Sequence, residues 1–290
     1  MTEWHEDSIV EYMRGRIEKA TRRDRPFAYL RVTEFLPPDL YRAVVRNFPS
    51  SPSEGDANSV NLADPDHRAA MSPDNRKLWT SFVQTIYPKV MQRAESVMRD
   101  VCEDRIAELN DLGFFDADKL PRWGADGLLS GTTYGFQLLA RTRQFVIPEH
   151  LHSPYELLSV LHYLPENDAH AAAGTELFDI TDQFTVTFAP GGYPRVPATA
   201  SKKAAFVPYL PNSAVIWVNT FRAIHSSPII DNPPERRYIF AIRAFRNEVV
   251  AENALPFAVT VWPRNPRIHA LKTMSARAIA KLTRAKPPTT

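Results

Sequence analysis

Apolar positions follow two periods along this chain, helical in its first part and strand-like beyond Trp123. In residues 6–21, EDSIVEYMRGRIEKAT, Ile9, Tyr12, Met13, Ile17 and Ala20 form one stripe, which predicts an amphipathic helix. FAYLRV after Pro26 predicts a short strand. Pro37-Pro38-Asp39 then opens a second helix with Leu40, Ala43, Val44 and Phe48 on its apolar face. Residues 50–74 are rich in Ser, Pro, Asp and Asn and lack a period, which predicts a long surface loop. A longer helical stretch from Arg76 to Leu109 carries Leu78, Phe82, Ile86, Val90, Ala94 and Val97 at helical spacing.

After Trp123 come short β-rich runs, YGFQLLART, ELLSVLHYLP, FTVTFAP, AAFVPYLP, NSAVIWVNTF and RRYIFAIRAF, separated by turns rich in Pro, Gly and Asn. Strands punctuated this way, without intervening helices, predict a β-sandwich or barrel behind a helical layer, hence an α+β protein. The last segment, ALKTMSARAIAKLTRA, predicts a basic amphipathic helix with Leu271, Met274, Ala278 and Leu282 on one side. The expected organisation is a helical layer and surface loop over 1–125, a β core over 126–250 that shares one domain with them, and a basic C-terminal extension over 251–290.

Composition narrows the chemistry. With 44% hydrophobic and 23% charged residues over 290 positions, the chain is ordinary for a globular protein, and a net charge of +2 does not imply a nucleic-acid partner. No Asp or Glu follows Glu252, so the tail is basic, and the expected role of its helix is docking by its apolar stripe. The single cysteine, Cys102, excludes an intramolecular disulfide and Cys-rich zinc sites, so any metal must be held by His and carboxylate. An N-terminus with early acids and no apolar run is not a secretory signal, and no apolar stretch is long enough for a membrane span. A cytoplasmic protein is expected. No Walker loop, Rossmann fingerprint or Gly-x-Ser-x-Gly occurs.

The candidate chemistry lies in His150-Leu151-His152 and in His225. Side chains two apart on an extended segment share a face, so His150 and His152, joined by a histidine from another strand, can cover one face of a metal ion and leave the other open. Other histidines have plainer expectations. His162 alternates with Tyr163 and should face away from the barrel interior, and His5, His67, His170 and His269 fall in turns or ends. Trp217 and Phe221 are expected in the core. Arg141 and Arg143 share a strand face that is expected to be solvated.

The surrounding words are more specific. IPEHLHSPYELLSVLHYLPENDAHAAAGTELF over 147–178 and NSAVIWVNTFRAIHSSPIIDNPPERR over 212–237 resemble the iron(II)- and 2-oxoglutarate-dependent oxygenases of the prolyl-hydroxylase-like group. That resemblance spans about 130–247, and PFAYLRVTEFLPPDLYRAVVRNFP is similar to the helical entry of such proteins. It implies a double-stranded β-helix (jelly-roll) core, Fe(II) bound by His150 and His225, and 2-oxoglutarate as co-substrate. It also implies oxidation of a small molecule or peptide side chain, with succinate as the co-product. Arg237 is similar in position to the basic residue that pairs with the distal carboxylate of 2-oxoglutarate, with Arg236 as the alternative. Tyr163 corresponds to a tyrosine that hydrogen-bonds the same carboxylate, and Ser159 and Thr220 are placed to touch the co-substrate.

One position departs from the family pattern. His152 stands where the family carries Asp, which raises the charge of the metal site by one and removes an anionic ligand. Glu149 is adjacent but on the opposite face of an extended chain. Three outcomes follow: a working three-histidine oxygenase, a three-histidine dioxygenase independent of 2-oxoglutarate, or a non-catalytic binding protein that retains the fold.

Overall fold

The run RRYIFAIRAF becomes an interior strand of the largest sheet in a computed structural model. The structure describes residues 5–49, 57–60, 69, 71–141, 146–189, 192–231 and 235–263. The basic helix expected over the last residues, with Arg143, His67 and His269, lies outside them.

The strands, numbered in chain order, are β1 Thr21–Arg23, β2 Tyr29–Val32, β3 Ala57–Val60, β4 Thr132–Arg141, β5 Glu156–Tyr163, β6 Thr175–Ile180, β7 Phe184–Phe188, β8 Ser201–Val207, β9 Ser213–Val218, β10 His225–Ser226, β11 Arg236–Phe245 and β12 Phe257–Val261. They form a seven-stranded sheet in the order β1-β2-β9-β5-β11-β4-β3, a three-stranded sheet β10-β6-β8 and a two-stranded pair β12-β7. Every pairing among them is antiparallel. The chain leaves the large sheet after β5, returns for β9, leaves again for β10 and returns for β11. Alternation between sheets brings residues distant in sequence onto facing strands.

Helices cover one face of the large sheet. In Glu6–Glu18 the buried residues are Ile9, Val10, Met13 and Ile17, the stripe that the periodicity predicts. Pro38–Arg46 starts on its proline and buries Leu40, Tyr41, Val44 and Val45. The helical stretch expected from about Arg76 to Leu109 is present as three helices, Pro73–Ser81, Tyr87–Val97 and Arg99–Asp111, with a π-helical turn over Phe82–Ile86. Pro88 lacks the amide hydrogen that would continue the helical ladder, and a break at Met98 separates the last two. The segment expected as a surface loop also differs, because β3 lies within it and pairs with β4.

Strand alternation divides the apolar residues between two cores. On β5, Leu158 and Val160 pack with the helices, whereas Leu161 and Tyr163 face the space between the sheets with Val215, Trp217 and Tyr238. His162 falls on the helical side, as its period predicts. It is fully buried, with Nδ1 2.9 Å from the Tyr87 hydroxyl, and Phe35 stands edge-on to its ring. Among the described residues no helix is long and apolar enough to cross a membrane.

Candidate metal centre

His150 lies on an extended segment that completes the smaller sheet. It bridges His225 on one side and Arg195 on the other, exchanging backbone hydrogen bonds with His225 at 3.2 and 3.4 Å. The chain then turns at Ser153, whose carbonyl accepts from the Glu156 amide at 3.0 Å, and enters β5. His225 does not close β9. After Val218 the chain crosses to the facing sheet, where β10 sets His225 opposite Leu177.

This path brings the three histidines together. Each offers a ligand nitrogen, and the nitrogens all lie within 4.8 Å of one another. All three side chains are buried, and no carboxylate joins the group among the described residues. The ring centroids of His150 and His152 are 5.6 Å apart with planes 20° from parallel, as expected for neighbours on one face of an extended chain.

Hydrogen bonds fix which nitrogen each ring presents. His150 Nδ1 is 2.9 Å from the Pro148 carbonyl and His225 Nδ1 is 2.9 Å from the Ala223 carbonyl. A carbonyl only accepts, so in both rings Nδ1 carries the hydrogen and Nε2 keeps its lone pair. His152 Nδ1 is 2.6 Å from Glu156 Oε2, a carboxylate acceptor, which assigns the same tautomer. His152 Nε2 and His225 Nε2 then stand 3.1 Å apart as two acceptors facing each other. Such a contact is repulsive unless a cation, a proton or a metal ion, lies between the lone pairs. Metal–imidazole bonds of about 2.1 Å in cis positions put two nitrogens about 3 Å apart, so the donor set fits a metal ion.

Burial reinforces the neutral rings. It pushes His150 down to about 4, with His152 adding to the effect, and holds His225 well below its usual range. Both therefore stay available as ligands at neutral pH.

Glu156 is the residue that strand reasoning did not find. Its Oε1 accepts from the Tyr193 hydroxyl at 2.9 Å while Oε2 holds His152, and the Tyr193 ring stacks on His152 with centroids 4.9 Å apart. Ser159 Oγ lies 3.3 Å from His152 Nδ1 and accepts from Asn219 Nδ2 at 3.0 Å. A signal was present in the His-x-x-x-Glu spacing across Ser153-Pro154.

The histidines open onto a cavity of about 160 Å³ whose wall includes Thr175, Trp217, Arg236, Tyr238 and Phe240. Arg236 is 1% exposed there. Arg237 points to the other face of β11, half-exposed, where its Nε is 2.8 Å from Glu235 and its guanidinium lies over Phe48. Tyr163 is fully buried behind the wall, its hydroxyl 2.7 Å from Thr175 Oγ1. Trp217 lies against His225 at 4.8 Å between centroids, whereas Phe221 packs with Phe188 in the other core. Thr220 does not line the cavity; its hydroxyl accepts from the Arg222 amide.

No family model matches the chain, and no curated protein matches it. Solved structures that are similar include a prolyl-4-hydroxylase from Pseudomonas putida, at 12% identity over 81% of this chain and 100% of that one, with a TM-score of 0.40. A prolyl hydroxylase from Trichoplax adhaerens, in complex with a fragment of the hypoxia-inducible factor oxygen degradation domain, is 9% identical over 85% and 96%, with a TM-score of 0.39. The non-heme α-ketoglutarate-dependent epimerase SnoN from nogalamycin biosynthesis is 13% identical over 82% and 86%, with a TM-score of 0.40. At such scores these likenesses carry no argument about chemistry. Assignment of the metal centre rests on its own distances and tautomers.

Proposed function

We propose that this protein is a non-haem iron(II)- and 2-oxoglutarate-dependent oxygenase built on a double-stranded β-helix, acting on a small molecule or a peptide side chain. His150, His152 and His225 would hold the iron. The observation that carries the reading is the 3.1 Å approach of two Nε2 lone pairs, with His150 beside them, in a cavity that also contains a buried arginine.

When bound, iron(II) and 2-oxoglutarate supply the oxidising chemistry, and the chain's own residues arrange it. Arg236 is assigned to the distal carboxylate of the co-substrate, because a guanidinium inside the cavity offers a two-pronged donor and Arg237 faces away. Thr175 is placed to add a hydroxyl from the cavity wall, and Tyr163 positions that hydroxyl from behind. Leu139, Leu161 and Phe240 exclude water around the reacting groups. Glu156 holds the His152 ring from the side away from the metal, and Tyr193, which lines the cavity, stacks on that ring.

Calorimetric titration with 2-oxoglutarate under anaerobic conditions, with Fe(II) present, tests the assignment. Wild type and Arg237→Ala are expected to bind, and Arg236→Ala to lose at least tenfold in affinity. Equal binding by Arg236→Ala and wild type would overturn the role of Arg236. Metal-dependent oxygen uptake without co-substrate would favour a three-histidine dioxygenase, a reading that the all-nitrogen donor set also supports.

A further inference from the structure

The inner face of the large sheet is apolar at β9 and becomes cationic at its β1–β2 edge. Register pairs run straight across this face, Ser159 to Trp217 to Tyr29 to Arg23, with Thr21 opposite Arg31 beside them. Past Tyr29 these strands, the end of the first helix and Phe206 of β8 enclose a groove of about 490 Å³. Arg16, Lys19, Arg23, Arg25 and Arg31 line it, and among the described residues no carboxylate does.

Such a face is not explained by ordinary surface pairing. Arg16 is engaged by Glu34 at 3.0 Å and by Thr33. The side chains of Lys19, Arg23, Arg25 and Arg31 have neither an ion pair nor a hydrogen bond to any described residue. The neighbouring acids serve the opposite face, where Arg22 binds Asp100 through two nitrogens at 3.0 and 2.6 Å and Asp24 at 3.0 Å. That anchor ties β1 to the helical layer, and strand alternation then commits Thr21 and Arg23 to the groove.

We infer that this groove binds a phosphorylated small molecule. Guanidinium forks match phosphate oxygens in pairs, and several on one concave surface favour a ligand with more than one phosphate. The volume falls within the range of about 300–1,000 Å³ typical of small-molecule sites, more than a single phosphate needs. Tyr29 and Phe206 give the groove an aromatic wall for the apolar body of the ligand. Among the described residues the site shares no lining residue with the metal cavity, and Arg23 stands two strand spacings, about 10 Å, from Trp217. It is therefore a second site, independent of the proposed oxygenase reaction.

Calorimetry on the full chain with inorganic tripolyphosphate, ATP and adenosine tests this. Wild type is expected to bind both phosphates, with affinity falling as salt rises, and not to bind adenosine. The charge-reversed Arg23→Glu/Arg31→Glu protein is expected to lose at least tenfold for both phosphates. If that variant fails to fold by circular dichroism, Lys19→Glu at the exposed helix end is expected to weaken tripolyphosphate binding severalfold. No binding of either phosphate by wild type, or binding that survives charge reversal, would overturn the inference. Tighter binding of a single-stranded oligonucleotide than of both phosphates would also overturn it, in favour of a nucleic-acid surface.

Discussion

Nδ1 of His152 lies 2.6 Å from Oε2 of Glu156, so the ring of this candidate metal ligand has a carboxylate directly behind it. For the proposed metal site, a histidine rather than an aspartate at position 152 leaves the donor set one negative charge short. Glu156 returns that charge one hydrogen bond further out, fixes the tautomer and raises the basicity of the ligating nitrogen. Glu156→Gln keeps the shape and removes the charge. It is expected to weaken metal binding by about 10–100-fold, the usual effect of losing such a partner, with the circular dichroism unchanged. Titration with Co(II) against a chelator measures it, and unaltered affinity would remove Glu156 from the site.

The same contact predicts that an aspartate at position 152 will not improve metal binding. In His152→Asp the shorter side chain brings a carboxylate toward Glu156 and leaves Glu156 without its imidazole partner. Metal affinity is expected to fall in His152→Asp and to recover partly when Glu156→Gln is added. Tighter binding by the single variant than by wild type would mean that the histidine is a lost ligand rather than a working one.

His162 sets an acid limit on stability. Burial pushes its folded value down to about 3, against 6.5 for an ordinary histidine. The unfolded chain then binds the extra proton first, so stability is fully present above about 6.5 and falls as pH drops toward 3, by up to about 1.4 kcal/mol per unit. His150 and His225 act in the same direction in metal-free protein. Urea unfolding across this range is expected to give a shallower pH slope for His162→Gln than for wild type. Identical slopes would remove His162 as a contributor.

Gly174 marks a close approach between β6 and the end of β8 beside the metal cavity. A Cβ there would sit 1.9 Å from the Val207 carbonyl oxygen and 2.9 Å from Pro208 Cα, both backbone atoms. Gly174→Ala must move one strand, and a loss of about 1–3 kcal/mol is expected from denaturant midpoints. A variant as stable as wild type would show that the two strands separate freely.

Much of this was legible in the sequence where one local rule sufficed. RRYIFAIRAF is β11 residue for residue, and the two-residue strand period placed His162 on the helical side. It also showed that only one of Arg236 and Arg237 can face the cavity. The family resemblance favoured Arg237, whereas the pairing of β11 with β5, Tyr238 opposite Tyr163, turns Arg236 inward. Strands β1, β6 and β10 were missed because they are short or carry polar residues that a facing sheet, not a period, accommodates. Glu156 was missed for a related reason. Alternation set the adjacent Glu149 aside as facing the other way, and it did not reveal that a turn at Ser153 reverses the chain and returns the residue four places on to the His152 ring.

The central claim is that His150, His152 and His225 form one metal site, and metal stoichiometry tests it most directly. Elemental analysis of protein loaded anaerobically with Fe(II) and freed of excess is expected to give one metal per chain. It should give none in His150→Ala or His225→Ala proteins that retain the wild-type circular dichroism. Wild-type protein that holds no metal, or a folded His225→Ala protein that retains it, would contradict the account.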